Sequence, residues 1–384
     1  MKQETSIPDP LKSALAGRKA VGNLRRLSAV SGLADFSSND FLGFARSAEL
    51  QARLLAALEE LWAGSNGMPL IGATGSRLLT GNSTRAEELE QQIAAFHGAE
   101  AALLFSSGYA ANLGLLSSVG RRGDTILYDE RAHASIKDGA RLGQAGSFSF
   151  RHNDPADLER RIRGAAGSVY VAVESLYSMH GDPAPLFDLT EVCSRSGAYM
   201  IVDEAHATGV FGPDGRGLVA GHGLEAQVFA RIYTFGKALG LHGAAVLGSA
   251  GLRDFLINFA RPFVYSTGLP LTSLTSIRLA YGMLQEAGSL RDALWRNIGL
   301  FRSGFRGNGL GGAMNGDSPI QWIGCSGSGA CRRLAAAGVE AGLDLRPILS
   351  PTVPKGQEGI RICLHAFNTE EEVRAVEEVV SGKW

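Results

Sequence analysis

The sequence is short of cysteine, of excess charge and of long apolar runs, and each shortage disfavours a class of protein. Its four cysteines form no Cys-x-x-Cys pair, which argues against a zinc site and against a disulfide framework. The formal net charge of -1 argues against a nucleic-acid binder, because such proteins neutralise phosphates with an excess of Lys and Arg. No run approaches the ~18 apolar residues of a membrane span.

The first ten residues, MKQETSIPDP, also lack the apolar segment of a signal peptide. We therefore expect a cytoplasmic protein that binds neither a membrane nor a nucleic acid.

Glycine, in contrast, is abundant, with 50 residues. The glycines are not periodic, so the chain is neither collagen-like nor a repeat array. They stand singly and in pairs at the ends of apolar runs, which is typical of a fold with many tight turns between strands and helices.

Helical patterns alternate with short apolar runs between about residues 85 and 250. The segment TRAEELEQQIAAFHG predicts a helix that Thr84 caps and Gly98 ends. The runs that predict strands are AALLF, DTILYD, SFSF, SVYVAVES, AYMIVDEA, RIYTFG and GAAVLGS. Such alternation predicts βαβ units and an α/β fold with a mostly parallel sheet.

The sequence predicts three regions. Residues 1–45 form an N-terminal arm with one basic helix, and residues 46–285 form a large domain. Residues 286–384 form a smaller C-terminal α+β domain, with strands at SPIQWIGC, GLDLRPIL and GIRICLHA. Its helices are GACRRLAAAG and TEEEVRAVEEVV, and a long helical pattern from Pro270 to about Ala287 precedes it.

Polar residues follow three of the predicted strands at their C-terminal ends, where open α/β sheets bind ligands. They are Glu174 and Ser175, Asp203 and His206, and Thr234 and Lys237. Lys237 is a lone amine in the glycine-rich stretch YTFGKALGLHGAAVLGS. It is either a surface lysine on a loop, which the dipeptide alone favours, or an amine with a lowered pKa that reacts with a carbonyl group.

Four motifs allow both a structural and a ligand-binding interpretation. In SSGYAAN, the backbone N–H groups of Gly108 and Tyr109 either begin an ordinary helix or bind an anion there. In VDEAHATG, Asp203 either caps a turn or pairs with a cationic ring nitrogen, with His206 beside it. A metal site is disfavoured because no third ligand stands at a suitable spacing.

The other two motifs contain a histidine and a serine. His133, in DERAHASIKDGA, lies at a predicted helix start, which disfavours the imidazolium. It is either an inert exposed ring or a neutral ring able to stack on a flat ligand. Ser178, in ESLYSMHGD, places a hydroxyl in a turn, where it serves the turn or a ligand.

In this order the motifs resemble the α-oxoamine synthases, a family of fold-type I enzymes that use pyridoxal 5'-phosphate. The resemblance spans nearly the whole chain. Its motifs are FSSNDFLGF, GATGSRLLTGNS, FSSGYAANLG, DERAHAS, HND, ESLYSMHGDPAPL, VDEAHATGVFGPDGRG, TFGKALG, YSTGLP and SPTVPKGQEGIRICL. It implies a large domain with a mostly parallel seven-stranded sheet, a smaller α+β domain, and a homodimer with shared active sites.

The segment TFGKALGLHGAAV is most similar to the members of this family that act in biotin biosynthesis. The resemblance implies a decarboxylative condensation of L-alanine with a pimeloyl thioester, carried by coenzyme A or by acyl carrier protein. The alternative is a sister activity such as glycine C-acetyltransferase. A nucleotide-binding dehydrogenase would need a Gly-x-Gly-x-x-Gly turn at the start of the parallel region, and none is there. If the chain were a non-catalytic binding module, nothing would explain why Lys237, Asp203 and His206 all stand at the ends of strands.

The resemblance also implies a role for each matching residue. Lys237 carries the cofactor covalently and removes the α-proton, Asp203 keeps the pyridine nitrogen protonated, and His133 stacks on the ring. His206 and Ser178 lie near the phenolic oxygen. The phosphate ligands are Gly108, Tyr109, Thr234 and, from the second subunit, Thr267. The substrate ligands are Arg361 for the amino-acid carboxylate, Arg25 and Thr352 for the acyl group, and Asn39 and His133 beside them.

The chain departs from the family pattern in one place. Members with the PTVP motif carry an arginine two residues before it, where this chain has Leu349 and the nearest arginine is Arg346. The arm is also short between Leu27 and Phe36. Both changes fall around the acyl-thioester pocket, so they bear on the acyl chain more than on the type of reaction.

Overall fold

The computed structural model describes residues 7–27, 29, 32–64, 71–306 and 316–382. The helices are α1 Asp9–Ala20, α2 Ala48–Ala63, α3 Thr84–Phe96, α4 Gly108–Val119, α5 Ala134–Leu142, α6 Pro155–Arg163, α7 Leu186–Ser196, α8 Leu218–Gly221, α9 Ala250–Phe259, α10 Arg261–Val264, α11 Leu271–Glu286, α12 Gly288–Arg306, α13 Ser328–Glu340 and α14 Glu370–Ser381. The strands are β1 Ala34–Asp35, β2 Ala101–Phe105, β3 Thr125–Asp129, β4 Gly146–Phe150, β5 Val169–Glu174, β6 Tyr199–Asp203, β7 Ala230–Thr234, β8 Ala244–Gly248, β9 Ile320–Gly324, β10 Leu343–Asp344, β11 Arg346–Ile348 and β12 Gly359–Cys363.

The predicted cap of α3 is wrong by one residue. Ser83, not Thr84, is the N-cap: it has extended backbone angles, and its hydroxyl accepts the Ala86 N–H at 3.2 Å. Thr84 is the first helical residue, so its hydroxyl cannot take that position.

The large sheet has seven strands in the order β2-β8-β7-β6-β5-β3-β4. All its neighbouring pairs are parallel except those of β8, which runs antiparallel to both β2 and β7. The predicted mostly parallel seven-stranded sheet is confirmed. Its register places Glu174 of β5 opposite Asp203 of β6, so the polar ends of these strands meet at one edge.

Helices bury both faces of this sheet, which explains why its strands are apolar along their whole length. On one face, α4 and α9 pack on strand residues in a cluster that includes Leu103, Ile126, Ile232, Leu115 and Leu256. On the other face, α6 and α7 pack in a cluster that includes Val171, Val173, Val202, Leu158 and Leu189. This packing fixes the strand ends that carry the polar residues.

A second, three-stranded antiparallel sheet has the order β11-β12-β9. The predicted single strand GLDLRPIL is divided: β10 pairs in parallel with β1 of the arm, whereas β11 pairs with β12. The chain changes partner at Leu345, whose buried side chain packs in the core. The division of the chain into three regions stays a prediction. No helix within the described ranges is both long and apolar enough to cross a membrane.

Candidate active site

A cleft of about 290 Å³ opens at the carboxyl ends of β5, β6 and β7. It collects residues from the arm, from the starts of α4 and α5, and from the loop between β7 and β8. Its lining residues are Asn39, Ser107, Gly108, Tyr109, Asn112, His133, Ser135, Glu174, Asp203, Ala205, His206, Thr234, Gly236, Lys237, His242 and Gly243. The structure therefore brings together most of the residues that the sequence singles out.

Lys237 lies in the loop that joins β7 to β8. Two backbone hydrogen bonds close this loop: Phe235 N–H donates to the Gly243 carbonyl at 3.0 Å, and Leu241 N–H donates to the Phe235 carbonyl at 2.7 Å. Burial lowers the pKa of Lys237, against the opposing charges of Asp203 and Glu174. A lowered pKa increases the fraction of neutral amine, which is the form that attacks a carbonyl group.

Asp203 ends β6, where it is buried. Asn112 of α4 donates from Nδ2 to its Oδ2 at 2.7 Å, and the Ala205 N–H donates to its Oδ1 at 2.9 Å. The sequence analysis missed Asn112. The signal was present, since Asn112 follows Gly108 by four residues and a helix brings such residues onto one face.

Glu174 is a second residue that the sequence analysis did not assign to the site, although it stands at a strand end. Its side chain is 2% exposed, and its Oε1 has no hydrogen-bond partner in the part of the chain that the structure describes. Burial and the nearby charge of Asp203 raise the pKa of Glu174 to about 8. Glu174 therefore keeps its proton at neutral pH, which places a carboxylic acid beside the carboxylate of Asp203.

The start of α4 has a geometry that suits the predicted anion site. Ser107 caps the helix by accepting the Ala110 N–H at 3.1 Å, and a Cβ at Gly108 would lie 2.4 Å from Cγ2 of Thr234. Only glycine lets the helix begin this close to β7. The hydroxyl Oγ1 of Thr234 is buried and has no partner among the described residues. An unpaired hydroxyl beside free helix N–H groups fits a phosphate. The Tyr109 hydroxyl turns away to Asp138.

Three histidines line the cleft, and two of them, His133 and His206, are predicted site residues. The Nδ1 of His133 lies 2.8 Å from the Ser135 hydroxyl and accepts the Ser135 N–H at 3.2 Å, which orients the ring at the start of α5. His206 is buried, and its Nδ1 has no partner within the described residues. Burial lowers the pKa of His133 and lowers that of His206 well below its usual range. Both rings are thus neutral at physiological pH.

Arg361 of β12 approaches the same cleft from the smaller sheet. Its Nη2 donates to Oδ1 of Asn39 at 2.8 Å, and its Nε donates to the Ser178 carbonyl at 2.6 Å. Its charge contributes to the lowered pKa of Lys237, after burial of that amine. Arg361 is therefore positioned to bind a carboxylate of a substrate held in the cleft.

A second cavity, of about 670 Å³, shares His133 with the first. We call it the outer cavity. Ser178 and Thr352 line it, so Ser178 lies on its wall and not on that of the inner cleft. Arg25 of the arm donates from Nη2 to the Thr352 hydroxyl at 3.1 Å. The two residues predicted to contact the acyl group thus meet beside the outer cavity.

Thr267 is the predicted site residue that lies apart. It is exposed, forms an antiparallel bridge with Ser76, and does not line the cleft of its own chain. No group of three or more His, Cys, Asp and Glu side chains within the described ranges could hold a metal ion. The unpaired Thr234 hydroxyl, the α4 start, Asp203 and Lys237 together fit a flat, phosphorylated cofactor with a ring nitrogen and an aldehyde.

Comparisons with known proteins point to the same chemistry. The family model "aminotransferase class I and II" matches residues 31–380. The chain is 42% identical over 404 residues to an 8-amino-7-oxononanoate synthase of Emericella nidulans, with 98% of this chain and 95% of that protein covered.

Two serine palmitoyltransferases are among the solved structures that match. Serine palmitoyltransferase from Sphingomonas wittichii superposes with a TM-score of 0.87 at 30% identity, covering 98% of this chain and 96% of that chain. A serine palmitoyltransferase from S. paucimobilis, with PLP and myriocin bound, gives a TM-score of 0.87 at 27% identity, with the same coverage of 98% and 96%.

Proposed function

Since this chain belongs to the aminotransferase class I and II family, we infer that it is an acyltransferase that uses pyridoxal 5'-phosphate. It condenses L-alanine with a pimeloyl thioester, releasing carbon dioxide and the thiol carrier, and forms 8-amino-7-oxononanoate for biotin biosynthesis. Relatives with this activity in their names match it over nearly the full chain. These relatives do not favour the alternative, glycine C-acetyltransferase.

One observation carries the assignment to the cleft: Lys237, with a lowered pKa, shares it with the buried carboxylate of Asp203. Lys237 would hold the cofactor through its side-chain amine, and this amine would take the proton from the α-carbon of alanine. Asp203 holds a proton on the pyridine nitrogen. The bound cofactor supplies an electron sink for the carbanion at that α-carbon.

The remaining side chains of the site bind and orient the cofactor. Thr234 and the first N–H groups of α4, from Gly108 and Tyr109, bind the phosphate. His133 covers one face of the ring as a neutral imidazole, so that it adds no positive charge against the protonated pyridine. His206 and Ser178 serve the phenolic oxygen side, His206 from inside the cleft and Ser178 from the outer cavity.

Arg361 binds the carboxylate of alanine through its guanidinium fork, with Asn39 beside it. The acyl thioester reaches the α-carbon from the outer cavity, where Arg25 and Thr352 lie. Because His133 lines both spaces, the thioester carbonyl meets the amino acid next to this ring.

A second copy of the chain completes the site. Thr267 lies in the loop before α11, where it bridges to Ser76 of the loop before α3 and does not line the cleft of its own chain. A homodimer that brings this loop to the partner's cleft adds the Thr267 hydroxyl to the phosphate ligands and shares both sites between the subunits.

Absorbance and product formation test this function together. The purified protein with pyridoxal 5'-phosphate should show a band near the visible edge that borohydride bleaches, and Lys237→Ala should lack the covalent bond while still binding the cofactor. Alanine, glycine and serine should then compete for pimeloyl thioesters of coenzyme A and of acyl carrier protein. An unchanged borohydride-sensitive band in Lys237→Ala, or a preference for glycine or serine, would overturn the proposal.

A further inference from the structure

A pimeloyl group ends in a carboxyl group, and this chain has Leu349 where the resemblance to the α-oxoamine synthases implies an arginine. Arg346, the nearest arginine in the sequence, does not replace it. Its Nε donates to Oδ1 of Asp344 at 2.6 Å, and it lines neither the cleft nor the outer cavity. The cations at or beside the outer cavity are then the candidates for the distal carboxylate: Arg25, Lys137 and Arg131.

Arg131 is placed to bind the distal carboxylate. It lines the outer cavity two residues before His133, and it also lines an adjoining cavity of about 350 Å³. Arg131 is exposed, and within the described ranges its guanidinium makes no hydrogen bond or ion pair, although Glu130 and Glu358 line the same cavities. Both carboxylates are engaged elsewhere: Glu130 accepts the His152 N–H at 3.3 Å, and Glu358 accepts the Gly356 N–H at 2.7 Å.

His180 lines both cavities beside Arg131. Its ring packs on Trp322 with the centroids 4.8 Å apart, which limits its rotation. Burial and the neighbouring charge of Arg131 lower the pKa of His180, so the ring is neutral and presents one N–H. The other cation on this wall, Lys137, donates its amine to the Glu130 carbonyl at 2.7 Å.

Part of the wall of the outer cavity is apolar. Ala132, Met179, Val353 and Pro354 line it, together with His133 and Arg131. A chain of methylene groups can pack against such side chains. A guanidinium in the same cavity suits the recognition of a long acid by its tail, since the fork pairs with a planar carboxylate.

We propose that Arg131, assisted by His180, binds the distal carboxylate of the acyl substrate and thereby replaces the arginine that is absent at position 349. The inference rests on the proposed function and extends it to the choice of acyl chain. Arg131 is a specificity residue: it acts on the far end of the substrate and takes no part in bond making at the α-carbon.

The test compares pimeloyl-coenzyme A with heptanoyl-coenzyme A, which has the same chain length and no terminal carboxylate. In holoenzyme, Arg131→Ala should raise the KM for the pimeloyl thioester roughly ten- to a hundredfold, the usual cost of a charge-assisted pair. The KM values for the heptanoyl thioester and for alanine should stay unchanged. Arg122→Ala, an exposed arginine away from the cavities, is the matched control, and Arg346→Ala should behave like it.

Binding gives a readout that needs no turnover. Calorimetry on wild-type holoenzyme should show tighter binding of pimelate than of heptanoate, and Arg131→Ala should lose this preference. Equal losses for both thioesters would mean that Arg131 contacts the coenzyme A portion, which overturns the inference, as would no loss at all. If wild-type enzyme condenses alanine with neither thioester, the proposed function fails, whereas the pimelate preference still decides the role of Arg131.

Discussion

The side-chain amide of Asn112 lies 2.7 Å from Oδ2 of Asp203, and it links the first helix of the cleft to the end of β6. The same amide nitrogen is 3.1 Å from the Ser135 hydroxyl, which in turn contacts Nδ1 of His133. One chain of hydrogen bonds therefore orients both the carboxylate of Asp203 and the imidazole of His133.

Asp203→Asn should abolish carbanion formation more than it weakens cofactor binding. The change keeps the volume but removes a buried charge, and loss of one partner from a buried ion pair costs about 3–5 kcal/mol. Exchange of the alanine α-proton with deuterated water, followed by NMR, measures the effect. Asp214→Asn, on an exposed loop, is the control. Exchange at the wild-type rate in Asp203→Asn would refute the role.

Glu174→Gln should make the stability of the cofactor-free protein less sensitive to pH. In the folded wild type the pKa of Glu174 is raised from 4.5 to about 8, so between these values the folded state holds a proton that the unfolded state has lost. Wild-type stability therefore falls with rising pH in this window, by up to about 1.4 kcal/mol for each pH unit. Glutamine has no such proton.

Urea unfolding at pH 5 and at pH 8 checks this. The variant should gain stability relative to wild type as the pH rises, and exposed Glu88→Gln on α3 should not. If the free energies of unfolding of Glu174→Gln and wild type differed by the same amount at both pH values, Glu174 would already be ionised at pH 5.

Arg361→Leu should raise the KM for alanine roughly ten- to a hundredfold, because it removes a charge-assisted pair with the substrate carboxylate. The KM for the acyl thioester should change little. Arg361→Lys keeps the charge but not the fork, so it should recover part of the loss. Steady-state kinetics with each substrate varied in turn gives both values. A rise confined to the thioester would move Arg361 to the acyl side.

Mixing two inactive variants tests the shared site. Lys237→Ala damages a cleft from within its own chain, whereas Thr267→Val damages the partner's cleft. A hybrid dimer then holds one doubly damaged and one intact site, so random reassociation of equal amounts should restore about a quarter of wild-type activity. Each variant alone is the control. Failure of the mixture to exceed the sum of the two would contradict the donation of Thr267 across the dimer.

Gly108→Ala should weaken binding of pyridoxal 5'-phosphate. The new methyl group would lie 2.4 Å from Cγ2 of Thr234, and this β-branched side chain has few rotamers into which it can retreat. Overpacking of this kind costs about 1–3 kcal/mol. Titration by absorbance gives the dissociation constant. Gly282→Ala in α11, where a Cβ meets no atom within 4 Å, should leave it unchanged.

The strands of the large sheet could be predicted because each is a short apolar run that both faces bury, as in AALLF, which is β2. The division of GLDLRPIL into two strands could not be predicted. Its first half pairs with β1 and its second half with β12, and these partners come from distant parts of the chain. The cap of α3 failed for a local reason: Ser83 and Thr84 are both good caps, and only the backbone angles distinguish them.

Some residues of the candidate site could likewise be predicted from the sequence, and others could not. Lys237, Asp203 and His133 follow from motifs, because each motif fixes a side chain at the end of a strand or the start of a helix. Glu174 also stood at a strand end, but its role depends on burial beside Asp203, which no motif records. Arg131 was hidden for another reason. The role proposed for Arg131 depends on its position in a cavity wall, and three separate segments of the chain form that wall.

Strand β8 connects two parts of the candidate site that lie far apart in the sequence. Ala244, its first residue, pairs with both Phe105 of β2 and Thr234 of β7. The turn into α4 and the loop of Lys237 are therefore joined through the last strand of the sheet to be synthesised. Because β8 follows Lys237 in the chain, the strand that joins this turn to this loop is synthesised only after both of them.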